Sequence, residues 1–156
     1  MKIRILGLGK LSESYHMDLV SDGKAQLMKR LGRGCEIEVM HLKEELLPTR
    51  FSESDIKTAL DREAERILAK LEKDDFLVCL DIEGRVLRDP LLEQILEQME
   101  KKNKKNLFFA IGSSYGLSQS IKKRADLRLS FGSLTLNHQI VPALLLDLLS
   151  RSHGKG

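Results

Sequence analysis

The sequence has no tryptophan, only two cysteines and three prolines, and aromatic residues make up 4% of its 156 positions. Two cysteines cannot make a disulfide framework. Cys35 and Cys79 lie far apart in apolar runs with no second Cys or His at metal-ligand spacing, so they read as small core residues in a reducing compartment, and no metal is expected. No run approaches the roughly 18 uncharged apolar residues of a bilayer span. The opening Met1-Lys-Ile-Arg-Ile-Leu-Gly7 is too short for a secretory apolar segment, so the expectation is a cytoplasmic protein without a membrane partner. Charge of one sign is also lacking. Twenty-six Lys and Arg against 23 Asp and Glu leave +3, which permits an anionic partner without requiring one.

What is present is 42% hydrophobic and 31% charged sequence without low-complexity tracts, repeats or linkers, in a length that suits a single domain, 1–156. Short apolar runs alternate with longer amphipathic ones, the pattern of an α/β protein whose parallel sheet carries helices on both faces. Strands are predicted at 2–8, 35–42, 75–81, 106–111 and 127–131, and helices at 14–31, 54–71, 90–102, 118–124 and 138–151. The runs around Phe76 and Phe108 are continuously apolar, as strands buried on both faces should be. Ser52 followed by Asp55 resembles a capping box, and Asp89-Pro90 places a carboxylate before a proline suited to a first helical turn. Ala64, Ile67, Leu68 and Leu71 recur at helical spacing, leaving Arg62, Glu65, Arg66 and Lys70 for solvent. Residues 43–54, with Pro48 and no regular period, read as a surface excursion.

Three loops follow predicted strands. In Leu80-Asp-Ile-Glu-Gly-Arg85, Asp81 either points into a crevice or caps a turn around Gly84. Ile111-Gly-Ser-Ser-Tyr-Gly-Leu-Ser118 offers backbone N–H groups and close approach to a flat or anionic ligand, or is a plain left-handed turn. Phe131-Gly-Ser-Leu-Thr-Leu-Asn-His138 leads into the last apolar helix. Gly, Ser, Thr and aliphatic contents with no Gly-Lys-Ser/Thr element suit a neutral heteroaromatic ligand such as adenosine better than a triphosphate. Gly7-Leu-Gly9 lacks the third glycine of a dinucleotide fingerprint and reads as an ordinary strand-to-helix turn. The basic clusters Lys101-Lys-Asn-Lys-Lys105 and Lys122-Lys-Arg124 either meet phosphates or end solvated helices. His16 and His41 read as surface or satisfied core residues.

These loops, in this order and at this chain length, resemble the ribosomal large subunit methyltransferase H family of SPOUT-class enzymes. The opening strand to Lys10, the turn from Leu80 to Arg85 and the Ile111 to Leu117 loop match its motifs, as does Arg124-Ala-Asp-Leu-Arg-Leu-Ser-Phe-Gly-Ser-Leu-Thr-Leu-Asn-His-Gln139. The resemblance implies a SPOUT-type α/β knot with a trefoil-knotted C-terminal half, and a homodimer with the cofactor pocket near the subunit interface. It implies S-adenosylmethionine-dependent methylation of N3 of a pseudouridine in 23S rRNA of the assembled ribosome. By matching position, the cofactor pocket is Leu80, Gly112, Phe131, Gly132, Ser133, Leu134, Thr135 and Leu136. His138 is the candidate donor or base, with helix-start packing as its alternative; Arg151 either holds a phosphate or carbonyl oxygen or neutralises its helix end. Ser113, Asn137, Pro142 and Ser150 depart from the family's pattern. They keep open an alternative, a noncatalytic ribosome- or RNA-binding paralogue that retains the fold.

Overall fold

The computed structural model describes residues 1–9, 14–86, 90–131 and 139–151. Among these residues five strands and five helices alternate: β1 (Lys2–Leu8), α1 (Ser14–Leu31), β2 (Glu36–Leu42), α2 (Glu53–Leu68), β3 (Asp75–Val86), α3 (Leu91–Lys101), β4 (Asn106–Ile111), α4 (Gln119–Arg124), β5 (Leu127–Ser130) and α5 (Val141–Ser150). All pairings in the sheet are parallel, in the order β2-β1-β4-β3-β5.

The connections explain why both faces are covered. The chain moves one way along the sheet from β1 to β2 and from β3 to β4, and the other way from β2 to β3 and from β4 to β5. A single crossover hand demands that opposite moves use opposite faces. Accordingly α1 and α3, joined by α5, pack on Ile3, Ile5, Phe76, Val78, Leu107 and Phe109, whereas α2 and α4 pack on Leu6, Leu8, Leu77, Cys79 and Phe108. Alternate residues of each strand point to opposite faces, so Phe76 to Leu80 of β3 and Leu107 to Ile111 of β4 are apolar without interruption, whereas β1 carries the buried Arg4 among its apolar residues. Phe76, Phe108 and Phe109 are wholly buried, each contributing about 2–3 kcal/mol through removal of its ring from water.

Local signals set the helix ends. Ser52 accepts the Asp55 N–H while Asp55 accepts the Ser52 N–H, the reciprocal box expected at the start of α2. Pro90 is the N-cap of α3, one position earlier in the helix frame than expected, without a side-chain cap bond; Asp89 lies outside the described residues. Pro142 falls in the first turn of α5, where its missing N–H costs no helical hydrogen bond. The larger departure is β3, which runs on to Val86 rather than ending at Asp81. Leu80 and Arg85 both pair with Leu129, so residues 81–84 loop out and the strand resumes. Arg66, expected in solvent, is half-buried, and its guanidinium bonds the Lys43 carbonyl and the Glu45 carboxylate.

Candidate functional site

Strands β4, β3 and β5 are consecutive neighbours and parallel, so their C-terminal ends share one edge of the sheet. Cys79 pairs with Ala110 and Leu80 with Leu129, which puts Leu80, Ile111 and Leu129 at one level. At roughly 4.8 Å between strands, the three loops that follow begin within about 10 Å of each other. Leu80, Gly112 and Phe131 are each part-exposed there. Gly132, Ser133, Leu134, Thr135, Leu136 and His138 lie outside the described residues.

Asp81 belongs to the turn. Its Oδ1 accepts the Glu83 N–H at 3.1 Å, Arg128 donates to Oδ2 at 3.2 Å, and Lys122 lies 3.6 Å from Oδ1. This buried carboxylate therefore ties the end of β3 to α4 and β5. Gly84 closes the same turn. A Cβ there would stand 2.7 Å from the carbonyl carbon of Arg128 and 2.9 Å from the Asp81 oxygen, so no side chain fits without moving backbone.

The loop after β4 also depends on missing side chains. A Cβ on Gly112 would lie 2.3 Å from the Gly116 oxygen. Gly116 donates to the Ser113 carbonyl at 2.8 Å and has φ of 88°, the left-handed region that suits glycine. The chain thus doubles back before Ser118, whose hydroxyl caps α4 by accepting the Ile121 N–H. A left-handed turn, one of the two readings of this segment, is present at Gly116.

Arg151 stands elsewhere. It caps the C-terminal end of α5 and donates to Asp147 at 2.8 and 3.1 Å. In the preceding turn the Leu149 carbonyl accepts from Arg30 at the end of α1. Because α1 runs back toward the start of β2, this contact puts Arg151 at the opposite edge of the sheet from Leu80 and Gly112 of the same chain.

The matching model of the predicted SPOUT methyltransferase family covers residues 1–153. The chain belongs to this family. A ribosomal RNA large subunit methyltransferase H of Streptococcus equi subsp. zooepidemicus (strain MGCS10565) is 38% identical over 152 residues, covering 97% of this chain and 93% of the relative. The protein of the same name from Streptococcus thermophilus (strain ATCC BAA-491 / LMD-9) is 39% identical over the same span. A solved SpoU methyltransferase, AviRb of Streptomyces viridochromogenes in complex with AdoMet, aligns at 11% identity and a TM-score of 0.44, covering 96% of this chain and 59% of that one.

In this SPOUT methyltransferase several side chains that sequence reasoning left open are committed to the fold. Lys102 pairs with Asp126 at 3.0 Å, Lys104 donates to the Lys73 carbonyl, and Arg124 reaches Asp126 and the Asp75 carbonyl. The Lys102 amine also lies 5.8 Å from the centre of the Phe76 ring. His16 is buried. His41, on β2 beside Gly7, is pushed below its usual range by burial, partly offset by a hydrogen bond to the Gly9 backbone. Burial, reinforced by Asp81, raises the Cys79 thiol to about 11. Among the described residues no cluster of three His, Cys, Asp or Glu could hold a metal ion, and no helix is long and apolar enough to cross a membrane.

Sequence reasoning missed one neighbouring feature. Glu44, Glu45, Leu47 and Ile56 from the β2-to-α2 region meet Ser113 and Tyr115 of the β4 loop around a shallow pocket with Glu63 in its lining. Glu63 is 97% buried. Its Oε2 accepts the Glu45 N–H, its Oε1 has no hydrogen-bond partner among the described residues, and burial raises its carboxyl above the usual range. The signal available was the helical register. Glu63 precedes buried Ala64 and lies four residues before buried Ile67.

Proposed function

We propose that this chain, as one domain spanning 1–156 with a trefoil-knotted C-terminal half, methylates N3 of a pseudouridine in 23S rRNA of the assembled ribosome, using S-adenosylmethionine. The observation that carries the reading is that Leu80, Gly112 and Phe131 stand within two residues of one level, on three adjacent parallel strands or just beyond their ends. The names of the relatives at 38–39% identity supply the substrate class.

The residues suit the cofactor chemically. Leu80, on the middle strand of the three, and Phe131 beyond it offer part-exposed apolar surface beside the glycine backbone at 112, fit for a neutral adenosine, and the nearby acid, Asp81, is turned to Lys122 and Arg128. Gly132, Ser133, Leu134, Thr135 and Leu136 complete the cradle in this reading. When bound, S-adenosylmethionine supplies a methyl carbon and its sulfonium leaving group. The chain's own task is to hold the uracil N3 in line, keep water out and stabilise negative charge on the base's carbonyl oxygens as the imide proton leaves. His138 is the proposed donor or base. Arg151, set at the far edge of its own protomer, serves in this reading from the second protomer of a homodimer, against a phosphate or carbonyl oxygen of the RNA.

Isothermal titration with S-adenosylmethionine, followed by transfer of labelled methyl groups to ribosomes lacking the modification, tests the proposal. Binding and transfer to one 23S nucleotide are expected. Binding without transfer would leave the noncatalytic RNA-binding alternative standing, and absence of both would overturn the site.

A further inference from the structure

Aromatic residues are scarce, with five Phe and two Tyr in the whole chain. Phe76, Phe108 and Phe109 are wholly buried, and Phe131 packs against the core. Phe51 and Tyr115 behave otherwise. They are 46% and 49% exposed, yet their rings meet edge to face with centroids 5.9 Å apart at 78°. The two come from separate segments, the irregular stretch before α2 and the loop after β4. An edge-to-face contact uses only part of the two ring surfaces, so broad π-faces stay open to solvent.

The position of this pair ties it to the methyl-transfer site. Tyr115 lies three residues beyond Gly112, in the turn closed by Gly116. The same glycines that shape the candidate cofactor loop therefore present the tyrosine outward. Leu46, 79% exposed, adds apolar surface in the same excursion.

Resting on the rRNA methyltransferase reading above, we propose that Phe51 and Tyr115 form a stacking platform for an unpaired nucleobase that flanks the target nucleotide. Sequence-specific RNA recognition works largely on unpaired bases splayed onto aromatic side chains, and every base has a face that can stack. The charges choose base over backbone. Glu44 lines the pocket with Tyr115 and repels a phosphate there, while its carboxylate accepts from the N–H groups of a base edge; Glu45 is held by Arg66 and Glu63 is buried. Arg50, exposed beside Phe51, is the adjacent cation for the next phosphate along the strand.

The test is the double variant Phe51→Ala/Tyr115→Ala beside Phe51→Trp/Tyr115→Trp, with folding checked by circular dichroism. The alanine pair is expected to raise KM for ribosomes about ten- to hundredfold, with kcat and the Kd for S-adenosylmethionine within about twofold of the parent. The tryptophan pair is expected to keep KM near the parent value. An unchanged KM would overturn the platform. So would a cofactor Kd that weakens in parallel, which would make the pair a support of the cofactor loop, or a dimer that dissociates in sedimentation, which would make it a subunit contact. If the parent protein transfers no methyl group, the function reading fails separately. Direct ribosome binding by parent and alanine variant then decides the platform, equal affinities overturning it.

Discussion

Arg4 on β1 reaches past β4 to Asp75 at the start of β3, its Nη2 donating to Oδ2 at 2.5 Å, with Asp75 wholly buried and Arg4 8% exposed. The guanidinium lies 4.8 Å from the centre of the Phe108 ring and also donates to the Lys70 carbonyl at 3.1 Å. The same Asp75 oxygen accepts the Glu72 N–H at 2.7 Å, so the pair fixes the α2-to-β3 connection. Removing one member of a buried pair leaves a charge stranded in apolar surroundings, which costs about 3–5 kcal/mol. Arg4→Met should cost that much in urea unfolding, and Arg4→Met/Asp75→Leu should cost less than Arg4→Met alone. A double variant as unstable as the sum of the two single ones would refute the coupling.

Glu63 sets a pH dependence. Its carboxyl is raised by burial first, with the Glu45 N–H opposing. For an acid whose folded pKa exceeds its unfolded value, the folded state binds the proton more tightly, so the penalty is absent below the unfolded pKa and complete above the folded one. Glu63→Gln keeps an acceptor for the Glu45 N–H and removes the buried charge. It should therefore raise the melting temperature at pH 7, and the gain should vanish as pH falls below the ordinary carboxylate value of 4.5. A gain that persists at pH 3.5 would assign the effect to packing instead.

The order of strands and helices was legible because the period of apolar residues changes between strand and helix, and the Ser52 and Asp55 cap was legible because it is local. That Leu80, Gly112 and Phe131 fall at one edge follows once their strands are parallel. Their adjacency does not, because the order β4-β3-β5 is set by long-range pairing. The continuation of β3 through Arg85 and Val86 was hidden, since Asp81-Ile-Glu-Gly84 breaks the apolar run and the pairing partner, Leu129, lies more than 40 residues away. Phe51 and Tyr115 carried no mutual signal either. Nothing in a one-dimensional pattern brings an irregular segment against a loop 64 positions later.

The two thiols should react very differently. Cys79 is wholly buried and raised to about 11, so at pH 8 only about one molecule in a thousand carries the reactive thiolate, even before access is considered. Cys35 is part-exposed just before β2. With an aromatic disulfide reagent at pH 8, one thiol per chain is expected to react within minutes and the second only after guanidinium is added. Two fast thiols would mean that the α2/α4 face of the sheet opens readily.

Two glycines of one loop should fail for different reasons. At Gly116 an added Cβ meets nothing within 4 Å, and the cost of alanine is the left-handed backbone alone, about 1–2 kcal/mol and less for asparagine, which tolerates that region. At Gly112 the backbone is unstrained, but the Cβ would lie 2.3 Å from the Gly116 oxygen and 2.5 Å from its carbon. Backbone cannot swing aside as a side chain does, so Gly112→Ala must open the turn that carries Tyr115. Gly116→Asn is therefore expected to melt close to the parent and to keep its affinity for S-adenosylmethionine. Gly112→Ala is expected to lose about 1–3 kcal/mol and at least tenfold in cofactor affinity by titration. If Gly112→Ala lost stability while binding the cofactor as the parent does, Gly112 would be a folding residue only, and the pocket would have to be sought among the loops on either side.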